Sequence, residues 1–259
     1  MLKGVLAHKL RLFLTAMAVV LGVSFVAGTF VLTDTIDKTF DTLFEEISAG
    51  TDVSVRAASG FGEDASVDTA RDTVPASVLD LVRQVPGIQA VDGSVGGYAQ
   101  FIDEAGKAVT TTGAPTLGFN WTLPELSPLR VRSGREPQRA GEVMVDAVTA
   151  KNHKFALGDK VKVLFRGPAE EFTVVGTTGF GEADNLAGAT LAIFDLTTAQ
   201  RVFDKVGRFD TVDARAAEGV SALELRDRVA VAVPEGVEVV TSQQAVSYTH
   251  LTLPTTPYV

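Results

Sequence analysis

Residues 10–33 read LRLFLTAMAVVLGVSFVAGTFVLT and follow the basic stretch MLKGVLAHK. From Leu12 to Thr33 there are 22 residues without a charge, and twelve of them are Leu, Val or Phe. A helix of that length reaches about 33 Å, enough for a hydrocarbon layer of about 30 Å. Its apolar side chains favour insertion by about 4–7 kcal/mol, partly offset by Thr, Ser and Gly. A removed signal peptide has a shorter apolar core followed by a small-x-small cleavage site. This run is longer and continues into FVLTDTIDKTF, which offers no such site, so a retained span over 12–33 is expected.

The flanks set the expected orientation. Lys3, Lys9 and Arg11 lie in the basic segment 1–11, which places the N-terminus in the cytoplasm and the rest of the chain outside. Within the span, Ala18/Gly22 and Ser24/Gly28 are small-xxx-small pairs about 240° apart around a helix. Two neighbouring helices could approach closely there, although Gly and Ala are common in any membrane helix.

Beyond the span, TDTIDKTFDTLFEEISAG keeps helical periodicity. Ile36, Phe40, Leu43, Phe44 and Ile47 share an arc of about 100°, with Asp37, Lys38, Asp41, Glu45 and Glu46 on the other side. Residues 34–50 are thus expected to form an amphipathic stalk. With no Gly or Pro break before Gly50, one helix from Leu12 to Ser48 would be about 55 Å long. An ordinary amphipathic helix packed on the outer domain is the alternative.

The remainder, 51–245, alternates strands and short helices. DVSVRAA, GEVMVD, KVKVLF, EEFTVVGTT, ATLAIFD, FDTVDARA and VEVVTS read as strands. Helices are expected from Pro75 to Pro86-Gly87, over AVTAKNHKFAL up to Gly158, over LTTAQRVFD, and over VSALELRDRVAVAV. The stretch TLGFNWTLPELSPLRVRSGREP reads as irregular, with prolines at 124, 128 and 137 and another just before it at 115. These patterns give an α+β class with a curved, largely antiparallel sheet. A subdomain crossing near 130 gives lobes of about 51–130 and 131–245.

Composition narrows the function. The 259 residues carry a net charge of −9; the first eleven contribute three positive charges, leaving −12 on the rest. An acidic body does not suit a nucleic-acid partner. With no Cys, there is no disulfide framework, thiol catalysis or cysteine zinc site. No P-loop motif and no G-x-S-x-G occur, so ATP binding through a P-loop is not expected of this chain. GFGEADNLAG (179–188) is glycine-rich but lacks the P-loop lysine, and reads as a mobile loop. The histidines, His8, His153 and His250, lack carboxylates at ligand spacing, and the acid pairs Glu45-Glu46 and Glu170-Glu171 read as solvated charge. No catalytic, cofactor or metal residue is assigned, and the chain is not expected to be an enzyme.

The N-terminal AHKLRLFLTAMAVVLGVSFVAGTFVLTDTI and the internal SGREPQRAGEVMVDAVTAKNHKFALGDKVKVL, with PASVLDLVRQVPGIQAVDG and EEFTVVGTTGF, resemble the FtsX/MacB-type permeases of ABC transporters. The resemblance covers about residues 1–245. It implies that 12–33 is a first transmembrane helix and 51–245 a two-lobed extracytoplasmic core domain of MacB-like type. It further implies a homodimeric permease in the bacterial inner or plasma membrane, in contact with membrane lipid. A separate cytoplasmic ABC ATPase subunit would bind and hydrolyse ATP, and motion passed through the stalk would move lipid-like or hydrophobic cargo. The alternative is a single-pass, membrane-anchored binding, sensor or adaptor protein.

The last residues, VSYTHLTLPTTPYV (246–259), show no amphipathic period, and SYTHLTLPTT looks like a sequencing adapter read as coding DNA. They are expected to be non-native, and the chain is expected to be an N-terminal fragment of a longer permease.

Overall fold

The computed structural model describes residues 13–15, 17–30, 50–58, 72–103, 105–111, 113–186 and 188–244. The chain divides into two compact units, residues 1–46 and 47–259. In the first, helix α1 (Phe13–Phe30) is long and apolar enough to cross a membrane. None of its described side chains is buried by the protein. Thr29 Oγ1 donates to the Phe25 carbonyl at 2.9 Å, which hides a hydroxyl that lipid would not solvate. The expected stalk over 34–50 lies outside the described residues except for Gly50, and so does the tail at 246–259.

The second unit is α+β. Its first sheet has the order β14–β1–β13–β3, with β1 Val53–Ala57, β3 Ile88–Ser94, β13 Thr211–Ala216 and β14 Val237–Thr241. All its pairs are antiparallel. Strand alternation decides its faces: Val53, Val55 and Ala57 are buried, while Ser54 and Arg56 point the other way. Helix α2 (Ser77–Arg83) buries Val78, Leu79 and Val82 in the same core, beside Leu225 and Val229 of a second helix (Ala222–Ala232) near the C-terminal end.

The second sheet comes from the middle of the chain. It runs β4 (Gly96–Tyr98), β6 (Thr116–Asn120), β11 (Thr190–Phe194), β8 (Glu142–Asp146), β10 (Glu170–Phe180), β9 (Lys160–Leu164) and β5 (Gln100–Ile102), with β7 (Leu129–Gly134) also on β10. The pairs β8/β10 and β6/β11 are parallel and the others antiparallel. Every residue of β8 and β11 is buried, as expected of central strands covered on both faces. Helices α3 (Ala147–His153) and α4 (Leu196–Val202) follow these two strands directly; the C-terminal helix Ala222–Ala232 is α5. Two-residue strands β2 (Val74–Pro75) and β12 (Arg208–Phe209) form a small ladder.

One core cluster runs through both sheets, and Phe172 and Phe194 meet in it with ring centroids 5.0 Å apart. A smaller cluster of Leu129, Met144, Phe180, Ala189, Leu191 and Ile193 lies against Leu117, Phe119, Trp121 and Leu186.

Four sequence expectations are corrected. The sheets do not divide at residue 130: β1 and β3 combine with β13 and β14 from the far end, and residues 96–194 supply the other sheet. Periodicity shows which face of β1 is buried, but not that α5, some 170 residues later, covers it. The irregular stretch 116–137 contains β6 and β7, and its prolines fall between or beyond them. Helix α3 stops at Lys154 in the left-handed conformation (φ 58°), well before Gly158. GFGEADNLAG is tied down rather than free: Arg132 donates to Asp184 at 2.9 Å and to the carbonyls of Gly181 and Ala183 at 2.8 and 3.0 Å.

Candidate functional site: the frame between the two sheets

The chain crosses from the first sheet to the second around Val95 and returns between α4 and β13. The two crossings are fastened side by side. Asp210 N–H donates to the Ser94 carbonyl at 2.8 Å, and Gly96 N–H donates back to Asp210 Oδ2 at 2.7 Å. Lys205 Nζ reaches the Gly96 carbonyl at 2.6 Å and Asp210 Oδ2 at 2.8 Å. Asn120, buried at the end of β6, accepts from Val95 N–H at 2.7 Å and donates to the Gly93 carbonyl at 3.0 Å. Satisfied networks of this kind stiffen a joint.

The chain enters and leaves this frame on neighbouring strands. Val53 of β1 pairs with Thr241 of β14. Beyond that rung Ser242 N–H donates to the Asp52 carbonyl at 3.2 Å, and Ser242 Oγ donates to the Thr51 carbonyl. Asp52 is held in turn by Ala216 N–H, which donates to its Oδ2 at 2.8 Å. Both connections thus bear on one end of one sheet.

Two buried carboxylates fix the second sheet. Glu142, at the start of β8, accepts two hydrogen bonds from Arg135 at 2.8 and 2.6 Å, one from Arg139 Nε at 2.8 Å and one from Gln138 N–H at 3.0 Å. The Arg135 hydrogen bonds hold its carboxyl well below the usual carboxylate range, against the opposing effect of desolvation. Gly134 (φ 71°) and Gly176 are direct partners on β7 and β10 beside this clamp. A Cβ on Gly176 would lie 2.3 Å from the Arg135 carbonyl oxygen, so only glycine permits the approach. Asp146, at the end of β8, caps α3 through Thr149 N–H at 2.8 Å. It also accepts from Leu191 N–H at 3.0 Å and Asn185 Nδ2 at 3.1 Å, which joins β8, β11 and the 181–188 loop.

The residues singled out from sequence fall elsewhere. Ala18, Gly22, Ser24 and Gly28 lie exposed on α1, with open space where a Cβ on either glycine would be. Ile36, Phe40, Leu43, Phe44 and Ile47, and the basic Lys3, Lys9 and Arg11, lie outside the described residues. Glu170 and Glu171 are each ion-paired, to Arg201 and Lys160, both at 2.7 Å. His153 stacks on Phe155. Among the described residues no group of three or more His, Asp or Glu could hold a metal ion. The frame residues Asn120, Lys205 and Asp210 carry no local sequence signal. Asp146 does: an Asp between a strand and a helix is an N-cap pattern.

A family model described as the MacB-like periplasmic core domain matches residues 12–232. The periplasmic region of MacB from Actinobacillus actinomycetemcomitans superposes with a TM-score of 0.55 at 15% identity, covering 80% of this chain and 97% of that one. The extracellular domain of the noncanonic ABC-type transporter YknZ from Gram-positive bacteria superposes with a TM-score of 0.52 at 13% identity, covering 73% of this chain and 98% of that one. No curated protein matches the chain in sequence. At these identities the two structures share the fold.

Proposed function

The chain belongs to the family of MacB-like periplasmic core domains of ABC transporter permeases, and from that premise we propose that it is a mechanical transmitter. A separate cytoplasmic ABC ATPase binds and hydrolyses ATP, and this chain binds no cofactor and catalyses no reaction. The resulting motion passes along α1 and the segment after it into the extracytoplasmic domain, where it drives export or extraction of lipid-like or hydrophobic cargo. The N-terminus is cytoplasmic, set by Lys3, Lys9 and Arg11, in a bacterial cell membrane. The full-length permease works as a homodimer, with Ala18/Gly22 and Ser24/Gly28 on α1 receiving neighbouring membrane helices. Membrane lipid is a partner and nucleic acid is not.

The observation that carries this reading is the paired arrival of both chain connections at one end of the first sheet, through Asp52 and Ser242. A pull there acts on β1 and β14 together. The latch of Asp210, Lys205 and Asn120 passes it to the second sheet. The reading is tested by a flexible Gly-Ser insertion after Asp41 in the full-length permease, reconstituted with its ATPase. ATP hydrolysis should persist while ATP-dependent movement of the outer domain is lost. Movement that survives the insertion would sink the lever mechanism.

A further inference from the structure

The cleft between the two sheets has walls of opposite chemistry. On the outer face of the first sheet, Ser54, Asp213 and Asp92 occupy one rung, Ser54 opposite Asp213 and Asp213 opposite Asp92. Asp213 accepts from Ser54 Oγ at 2.6 Å and from Thr211 Oγ1 at 2.9 Å. Asp92 accepts from Gly93 N–H at 2.8 Å and Leu123 N–H at 3.0 Å. The other wall is apolar, built from Phe119, Leu129, Phe180, Leu186 and Leu191. Between them lies a cavity of about 330 Å³, also lined by Leu126, Ser127 and Pro128. That volume lies at the small end of ligand pockets.

The charge of the cavity is one-sided. Two carboxylates line it, and no Lys, Arg or His is among its described lining residues. Like charges directly opposite on neighbouring strands are unfavourable. Desolvation, with Asp92 nearby, pushes the Asp213 carboxyl above its ordinary value, against the hydrogen bonds from Ser54 and Thr211. Each carboxylate oxygen keeps a lone pair beyond the bond it already accepts.

We infer that this cleft is a binding site for a small cationic amphiphile, with an ammonium head between Asp92 and Asp213 and an apolar tail against Phe180 and Leu191. The head neutralises the facing acids, and the tail buries surface against a wall that water wets poorly. An anionic amphiphile of the same length is repelled, and a neutral alcohol gains only the tail. Thr51 and Ser242, held together at one end of the first sheet, also line the cavity, so an occupant bears on that sheet end. The site goes beyond the transport reading, since binding requires no ATPase.

The chain has a single tryptophan, Trp121, and it packs against the apolar cluster of this wall. Its fluorescence is followed in the full chain, held in phosphatidylcholine nanodiscs, while n-octylammonium, n-octanol or octanoate is added. Octylammonium should give a saturable change whose midpoint is independent of lipid concentration. Octanol should need at least tenfold more, and octanoate should give none. Asp213→Asn, which can keep both hydroxyl partners, and Asp92→Asn should each weaken octylammonium about tenfold. Leu186→Phe, which fills the cavity, should abolish the response. An unsaturable signal, or equal midpoints for octylammonium and octanoate on the native chain, would overturn the inference without reference to any variant. So would unchanged affinity in the folded Asp variants.

Discussion

Replacing Asp146 with Ala tests whether β8 is the keystone of the second sheet. Its side chain is fully buried and accepts from Thr149 N–H, Leu191 N–H and Asn185 Nδ2. Loss of the helix cap costs about 1 kcal/mol. The Leu191 amide, buried in β11, is then left without its acceptor, at about 1–3 kcal/mol. Asn185 retains the Ala189 carbonyl at 2.6 Å and adds little. The sum is about 2–4 kcal/mol. Asp195 supplies an internal reference, because it caps α4 through Thr198 N–H at 3.1 Å while its Oδ2 has no hydrogen-bond partner. Asp195→Ala should therefore cost only about 1 kcal/mol. Urea unfolding of the segment 51–244, followed by Trp121 fluorescence, measures both; the solved relatives are themselves isolated regions of this kind. Equal destabilisation by the two substitutions would refute the idea that Asp146 joins three elements rather than capping one helix.

Glu142→Gln should destabilise the domain at pH 7. The folded carboxyl lies below its unfolded value, so its contribution is complete above about pH 4.3 and fades as pH falls through the folded value. The gap between wild type and variant in urea melts should accordingly narrow below about pH 4. Asp213 has the opposite sign: its folded value is raised, so ionisation penalises the fold at neutral pH and not below about pH 3.9. Asp213→Asn should be at least as stable as wild type at pH 7, with any advantage gone in acid; a variant less stable at pH 7 would show that the carboxylate is not the penalised form. Gly176→Ala, forced against the Arg135 carbonyl, should cost about 1–3 kcal/mol in the same assay.

The sequence carried the local structure well and the long-range assembly poorly. Alternation in DVSVRAA and KVKVLF marks strands because one side of each faces a core, and both are strands in the structure. The uncharged run at 12–33 contains the helix long enough to span a membrane because length and composition alone determine that property. TLGFNWTLPELSPLRVRSGREP hid β6 and β7 because Gly118 and the prolines mask the period, and β7 is exposed along most of its length. The discontinuous first sheet was illegible, since nothing in FDTVDARA says that its partners are β1 and β3. The frame residues were missed for a similar reason. Asp210 and Lys205 matter only because the fold brings Gly96 back beside them. The Arg135–Glu142 clamp lies inside one of the motifs that carried the family resemblance.

In the proposed mechanism, ATP-driven motion reaches the outer domain. The chain has no cysteine, so Val231→Cys, on the exposed face of α5, gives it one labelling site. The full-length permease and its ATPase are reconstituted together, and the distance between labels in the homodimer is measured by pulsed electron paramagnetic resonance. Trapping the ATPase with ATP and vanadate should move the distance distribution away from that of the nucleotide-free complex. Identical distributions in the two states, with the ATPase demonstrably trapped, would contradict the account.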